Sequence, residues 1–352
     1  MIKINKNEEG SVLVFREITD KSITFKNTSI NIKIIRIFIR LSQNIFPFSL
    51  TIRIYRSISF FLSIFLSNNH PWIYILSLNT FRLRYLTSMA NENFYDALAI
   101  KNEWSQFVIK ASTCSENVDA AKNFINLVKN DKFHELDRIS NSIIGLLGRN
   151  FYISGPSNHY ANDIDLGKFS SVHLKPFSSD LSVFKENILF LNSYYYRKKL
   201  LKDKALQGRI LKSYDRIFVF CRVSKMLDGF ERLDGLAQGD ISSPMGLSRV
   251  LVYLAANSDK NAEYIIDGFD LFLSENPYMN NYYKNKDHLA TERNICLSLI
   301  HHDPLYNFLY LKKLAKEINL RNSSKFEKVL ALSMNEYIAE LFKIRDFRTV
   351  SK

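Results

Sequence analysis

The sequence predicts an α/β fold: a mostly parallel sheet with helices on both faces, preceded by a small helical segment. Three observations carry this. From Asn150 onward, short runs rich in β-branched and aromatic residues alternate with amphipathic stretches, the order that builds strand–helix–strand units. Between Asn93 and Leu147 apolar residues recur at helical spacing instead. The chain has 352 residues, 46% of them apolar, with 27 Phe and 18 Tyr. That is enough for a sizeable core and, at about 100–200 residues per domain, for two domains or one large domain with an appendage.

Residues 1–88 form a basic, apolar N-terminal segment. Lys21 to Asn91 holds no Asp or Glu but nine cations, among Ile- and Phe-rich runs such as IKIIRIFIRL and ISFFLSIFL. A spanning helix needs about 20 predominantly apolar residues. ISFFLSIFL is shorter, with Arg56 before it and Asn68, Asn69 and His70 after it. A cationic, aromatic-rich stretch of this kind suits the surface of an anionic leaflet. The same bias also reads as translated AT-rich upstream sequence, with ordinary protein character starting near Met89, so the segment is either a membrane-surface element or not natively translated.

Residues 89–148 read as helical. Ala97, Ile100, Trp104, Phe107 and Val108 share one helical face. NVDAAKNFINLVKN forms a second helix, and KFHELDRISNSIIGLLG a third ending at Gly148. Residues 149–352 form the main α/β domain. FYIS, SVHLKPF, NILFLNS, RIFVFCRV and EYIIDGFDLF are its strands, and MGLSRVLVYLAANS and DPLYNFLYLKKLAKEINL its helices. In such a Rossmann-like arrangement ligands bind at the carboxyl ends of the strands.

The formal net charge is +13, which points to a polyanionic partner: nucleic acid, an anionic membrane surface or phosphorylated substrates. No zinc finger, RRM signature or compact basic recognition helix is present, so nucleic acid is not the expected partner, and a basic nucleic-acid-binding protein stands as an alternative reading. Cys114, Cys221 and Cys296 are scattered without metal-ligand spacing, which fits free thiols in a reducing cytoplasm. A secretory signal is not recognisable, and the dinucleotide fingerprint G-x-G-x-x-G is absent.

The run ISGPSNHYANDID, residues 153–165, follows the first strand with Ser154, Gly155, Pro156 and Ser157. Gly155 lets backbone approach a ligand, Pro156 fixes the turn, and Ser157 and Asn158 offer groups for capping or for a sugar or phosphate. Downstream lie Asn192 at a strand end, Ser242-Ser243 opening a helix, then Gly268 and Asp270 in DGFD, then His302 before a helix. In order and local spacing, over roughly residues 150–325, this resembles the bacterial sialyltransferases of glycosyltransferase family 42 and the wider group of CMP-sugar transferases that includes Kdo transferases.

The resemblance implies an inverting transferase that moves an acidic sugar from a CMP-activated donor, with no cofactor and no essential metal. Asp163 and Asp165 are then structural rather than a metal-binding Asp-x-Asp. Gly155, Pro156, Ser157 and Ile164-Asp165 match the family's first turn, and Asn192 matches its third-strand Asn. Ser242-Ser243 stands where the family has a helix start facing the donor's anionic part, with Pro244 in place of its glycine. Gly268 and Asp270 match the family's Gly and Asp. Of its two phosphate-holding tyrosines, Tyr278 matches one and Phe272 replaces the other; Lys175 stands where it has an Asn. His302 is the implied general base, because Leu311 and Leu314 follow it at the family's spacing of nine and twelve. The implied partners are the donor, a glycolipid or polysaccharide acceptor such as lipooligosaccharide or capsule, and an anionic membrane surface. The implied location is the inner face of the cytoplasmic membrane, and an oligomer is compatible with all of this. Phe272, Lys175 and Pro244 together also fit a degenerate protein that binds nucleotide sugar without turnover.

Overall fold

A computed structural model describes residues 30–66, 70–91, 93–112, 115–129, 145–155, 164–176, 181–220, 226–233, 246–274, 292, 295–296, 303–321 and 325–347. Among the described residues five helices come first: α1 (Ile30–Ile45), α2 (Phe48–Phe65), α3 (Pro71–Ala90), α4 (Phe94–Ala111) and α5 (Ser115–Lys129). The α/β part follows with β1 (Asn150–Ser154), β2 (Phe169–His173), β3 (Glu186–Asn192), α6 (Ser193–Lys198), α7 (Lys204–Ser213), β4 (Arg216–Phe220), β5 (Glu231–Leu233), α8 (Gly246–Asn257), β6 (Glu263–Asp267), α9 (Pro304–Leu314), β7 (Asn319–Leu320), α10 (Phe326–Ala331) and α11 (Met334–Ile344).

The seven strands pair in the order β5-β4-β3-β2-β1-β6-β7, and every pairing is parallel. A parallel sheet must bury both faces, and strand alternation divides the apolar side chains between them. On one face Phe151, Ile153, Val172, Ile188, Phe190, Phe218 and Ile266 join a core with α3, α8 and α9. On the other, Leu189, Leu191, Ile217 and Val219 pack on Tyr196, Leu200, Ile210 and Tyr214. Tyr152, Phe169 and Ile265 form a separate small cluster.

Two strands lie outside the sequence reading. Both β5, with the sequence ERL, and the two-residue β7 are short sheet edges. Edges this short lack the apolar run that identifies a strand, and their shortness, with the two charges of ERL, discourages pairing with other chains. The helix read through Leu320 ends at Leu314 because Asn319 and Leu320 pair with Glu263 and Tyr264. The strand read through Phe272 ends at Asp267, where Gly268 turns into positive φ at 72°.

The boundary drawn at residue 88 falls inside α3. That helix is buried along its length, with Leu76, Leu83 and Met89 fully inside. Helices α1 and α2 also contribute Ile35, Ile39 and Tyr55 to the core that holds Phe151 and Ile153. The third helix read at 132–148 falls largely outside the described residues.

A buried ion pair ties the helical segment to the sheet domain. Lys101 of α4 bonds Asp303, the N-cap of α9, and both side chains are almost wholly inaccessible. The ammonium also lies 4.9 Å from the Trp104 ring centroid and 5.3 Å from that of Tyr85, in cation–π range. The Tyr85 hydroxyl donates to Asp303 Oδ1 at 3.3 Å. Burial lowers the Lys101 pKa and Asp303 opposes that shift. Lys313 of α9 adds a bond to the Leu127 carbonyl of α5. Removing one partner strands the other charge in the interior, at a cost of about 3–5 kcal/mol. Lys101→Met should therefore lower the denaturant midpoint strongly. Lys101→Met/Asp303→Asn should recover much of the loss, because asparagine still caps a helix; equilibrium urea unfolding of the three proteins checks both.

Candidate functional site

Strand order reverses between β1 and β6. The chain moves outward from β1 to β5, then returns to place β6 on β1's other side. In open parallel sheets the crevice beyond the strand ends at such a reversal is where ligands bind. Ser154 closes β1 there, in register with His173 of β2 and Asp267 of β6.

Gly155 follows. Its N–H donates to the Asp267 carbonyl at 2.7 Å. A Cβ on Gly155 would overlap the Gly268 carbonyl oxygen and come within 2.5 Å of both the Gly268 carbonyl carbon and the Phe269 ring. The space left by the missing side chain is thus filled by the backbone of the next motif. Gly155 and Gly268, separated by more than a hundred residues, form one contact. Below them the Tyr152 hydroxyl donates to Asp267 Oδ2 at 2.7 Å, and Gly268 N–H donates to Asp267 Oδ1 at 2.8 Å.

The turn after Gly268 is strained. Leu271 and Phe272 have φ of 49° and 70°, values that cost non-glycine residues on the order of 1–3 kcal/mol each and persist only where the surroundings enforce them. Asp270 is buried and folds back on this turn, accepting from Phe272 N–H at 2.9 Å and from the Ser274 hydroxyl. The C-terminal part of the chain clamps it from outside. Tyr337 of α11 donates to the Leu271 carbonyl at 3.1 Å. Arg345, also buried, donates to the Phe272 carbonyl at 3.2 Å, to the Ser274 carbonyl, and to Glu292 at 3.1 Å. The Phe272 ring packs against the main core.

The start of α9 belongs to the same neighbourhood. Tyr337's phenol pKa is raised by burial first, then by the carboxylates of Asp270 and Asp303, so both acids lie within electrostatic reach of one hydroxyl. Asp303 itself has φ 48° and accepts from Tyr306 N–H at 3.1 Å as the cap of α9. Leu311 and Leu314, whose spacing singled out His302, are both buried on α9.

Among the other sequence-derived residues, Asn192 closes β3, exposed, with its side chain accepting from Tyr195 N–H at 2.7 Å to cap α6. Lys175 lies two residues beyond the end of β2, and burial pushes its pKa down to about 7. Nearby, His173 Nε2 lies 3.2 Å from the Ser171 hydroxyl, which donates to Asn187 at 2.6 Å. Pro156, Ser157, Asp163, Ser242, Ser243, Tyr278 and His302 lie outside the described residues. The structure therefore brings Ser154, Gly155, Gly268 and Asp270 together at the reversal point. Asn192 ends β3 and Lys175 follows β2, at the same carboxyl end of the sheet.

Family models, curated proteins and solved structures give no match.

Sequence reading missed the supports of this region: Tyr152, Asp267, Lys101, Asp303, Tyr337 and Arg345. Asp303 alone carried a local signal, an Asp-Pro pair of the kind that opens a helix. The others act across long sequence separations.

Two outcomes follow from the geometry. Gly155→Ala forces β1 and β6 apart and should destabilise the fold by about 1–3 kcal/mol, measured as a lower denaturant midpoint. Gly167→Ala is the control, since its nearest neighbour would be the Asp165 side chain at 3.4 Å. Lys175 binds a proton less readily folded than unfolded, so between about 7 and the ordinary lysine value of 10.5 the unfolded chain holds the extra proton and stability rises with pH. Lys175→Met should flatten that slope in urea unfolding across this range.

Proposed function

We propose that the protein is an inverting glycosyltransferase that moves an acidic sugar, sialic acid or Kdo, from a CMP-activated donor to a glycolipid or polysaccharide acceptor. The observation that supports this most directly is the contact of Gly155 with Gly268. Two motifs named from sequence as donor contacts meet at the reversal point of a parallel sheet, where such sheets bind nucleotides. A second support is that α9, the helix that follows His302, lies beside the turn after β6, bridged by Tyr337, whose ring stacks on Phe308 at 4.2 Å and whose hydroxyl donates to the Leu271 carbonyl at 3.1 Å.

In the proposed reaction the donor lies along the strand ends, with its nucleotide and sugar held by Ser154, Gly155, Pro156, Ser157 and Asn192. Ser242, Ser243 and the N-terminal end of α8 face its anionic part, since free N–H groups at a helix start attract anions. Protonated Lys175 adds a further cation. The acceptor hydroxyl attacks the anomeric carbon as the bond to the CMP phosphate breaks, inverting the centre. His302 takes the hydroxyl proton, a step suited to imidazole at neutral pH. Tyr278 donates to the departing phosphate. The enzyme works on the inner face of the cytoplasmic membrane, where a lipid-linked acceptor would be presented.

A second reading, nucleotide-sugar binding without turnover, is favoured by Phe272. Its ring is part of the core packing, so the position that carries a phosphate-holding tyrosine in the family has no hydroxyl here.

Thermal shift against CMP, UDP and GDP, followed by donor hydrolysis and transfer with CMP-sialic acid and CMP-Kdo, tests the readings. CMP should stabilise the fold more than UDP or GDP. His302→Ala should lower turnover roughly 10²–10⁴-fold while keeping the CMP shift. Binding of CMP with no turnover in the wild-type protein supports the second reading, and absence of CMP binding removes both.

A further inference from the structure

Helices α1 and α2 each bury one face and leave an apolar stripe uncovered beside it. On α1 the inner residues Ile35, Ile39 and Ser42 are buried, while Ile34, Ile37, Leu41 and Ile45 are exposed, all within one side of a helix at 100° per residue. Phe46 in the turn and Leu50 at the start of α2 continue that surface, and the end of α2 exposes Phe60 at 72%, Phe61 at 61%, Ile64 at 61% and Phe65 at 70%. Aromatic and aliphatic exposure this concentrated marks an interaction surface.

The hairpin is held as part of the domain. The Tyr55 hydroxyl lies 2.6 Å from that of Ser42 and donates to the Ile39 carbonyl at 3.0 Å, joining α2 to α1. Ile35, Ile39 and Tyr55 share the core of α3 and the sheet. What lies outside is thus a fixed face. Its charge identifies the occupant. Arg53 and Arg56 are exposed on α2, and no Asp or Glu occurs from Lys21 to Asn91. Another protein surface would ordinarily be met with both signs of charge, whereas an apolar stripe flanked only by cations complements acyl chains under anionic headgroups. Among the described residues no helix is long and apolar enough to cross a membrane.

We infer that α1 and α2 form a monotopic docking face that lies flat in an anionic leaflet, with Phe60, Phe61, Ile64 and Phe65 in the headgroup–acyl boundary and Arg53 and Arg56 on lipid phosphates. This deepens the membrane location proposed above and rests on that location, not on the transfer chemistry.

The test uses the full chain and sedimentation with vesicles of phosphatidylglycerol and phosphatidylcholine, or of phosphatidylcholine alone, without any donor present. The protein should sediment with the anionic vesicles, less so as salt rises. Phe60→Ser/Phe61→Ser/Ile64→Ser/Phe65→Ser should weaken partitioning roughly tenfold or more. Arg53→Gln/Arg56→Gln should weaken it by a similar factor on anionic vesicles only. All these side chains are exposed, so both variants should keep the wild-type melting temperature and CMP shift. Failure to bind anionic vesicles overturns the inference, as does binding unchanged by the aromatic substitutions. A wild type that self-associates without lipid, through a face the aromatic variant loses, assigns the stripe to a second copy and overturns it too. A protein that binds vesicles but not CMP keeps the docking face and loses the transferase.

Discussion

The close approach of two backbones at Gly155 and Gly268 is the constraint on which the reversal point of the sheet depends. Parallel strands of one sheet hold their chains apart by the ladder spacing, but at the reversal between β1 and β6 the chains emerging from both strands turn through the same space. With no Cβ on Gly155, and with Gly268 in a left-handed conformation, they pass in contact. Asp267 fixes the approach from below, bonded at once to Tyr152, to Gly268 N–H and, through its carbonyl, to Gly155. A larger residue at Gly155 would push the end of β1 away from the turn that follows β6. Glycine here serves the fold first, and the site inherits its geometry.

The strained turn that follows converts distant parts of the chain into supports for that crevice. Left-handed Leu271 and Phe272 would relax if their carbonyls were free. Tyr337 and Arg345 occupy those carbonyls, and Asp270 occupies the amide side. The N-terminal helices act in a comparable way on the neighbouring element, since Lys101 and Tyr85 hold the carboxylate of Asp303 while its backbone is left-handed. A buried ion pair is weak grounds for net stability, because desolvation offsets much of the Coulomb gain. Its clearer consequence is positional: Asp303 has one arrangement that satisfies Lys101, Tyr85 and the α9 amides together.

Much of the sheet was legible because buried parallel strands announce themselves as short apolar runs, as in NILFLN and RIFVF. What escaped had physical reasons. ERL and NL take strand form through pairing at sheet edges, without an apolar run. The apparent strand residues of GFDLF are apolar because they pack, yet Gly268 and Asp270 turn them out of the ladder. In the site, local turn chemistry made Gly155 and Gly268 visible, but their mutual contact, which explains both, has no local signature. Nothing local marks Arg345 and Lys101 for burial; their partners Glu292 and Asp303 come from elsewhere in the chain. The acid-free composition from Lys21 to Asn91 pointed to a membrane-surface element or to an untranslated stretch, whereas the burial of α3 depends on α4 and the sheet domain, which no window of that region contains.

These supports form a continuous path. Helices α1 and α2 pack on α3, α3 supplies Tyr85 to Asp303, Asp303 caps α9, and Tyr337 stacks on Phe308 of α9 and bonds the Leu271 carbonyl in the turn beyond Gly268. Packed interiors transmit position because they are close to crystalline density. A leaflet bound along α1 and α2 would therefore set the orientation of the crevice without any moving part. If the proposed acceptor is confined to a membrane, that orientation decides whether its hydroxyl can reach a donor at the strand ends. The basic hairpin and the sheet reversal, which look unrelated in the sequence, are thus joined through one packed interior.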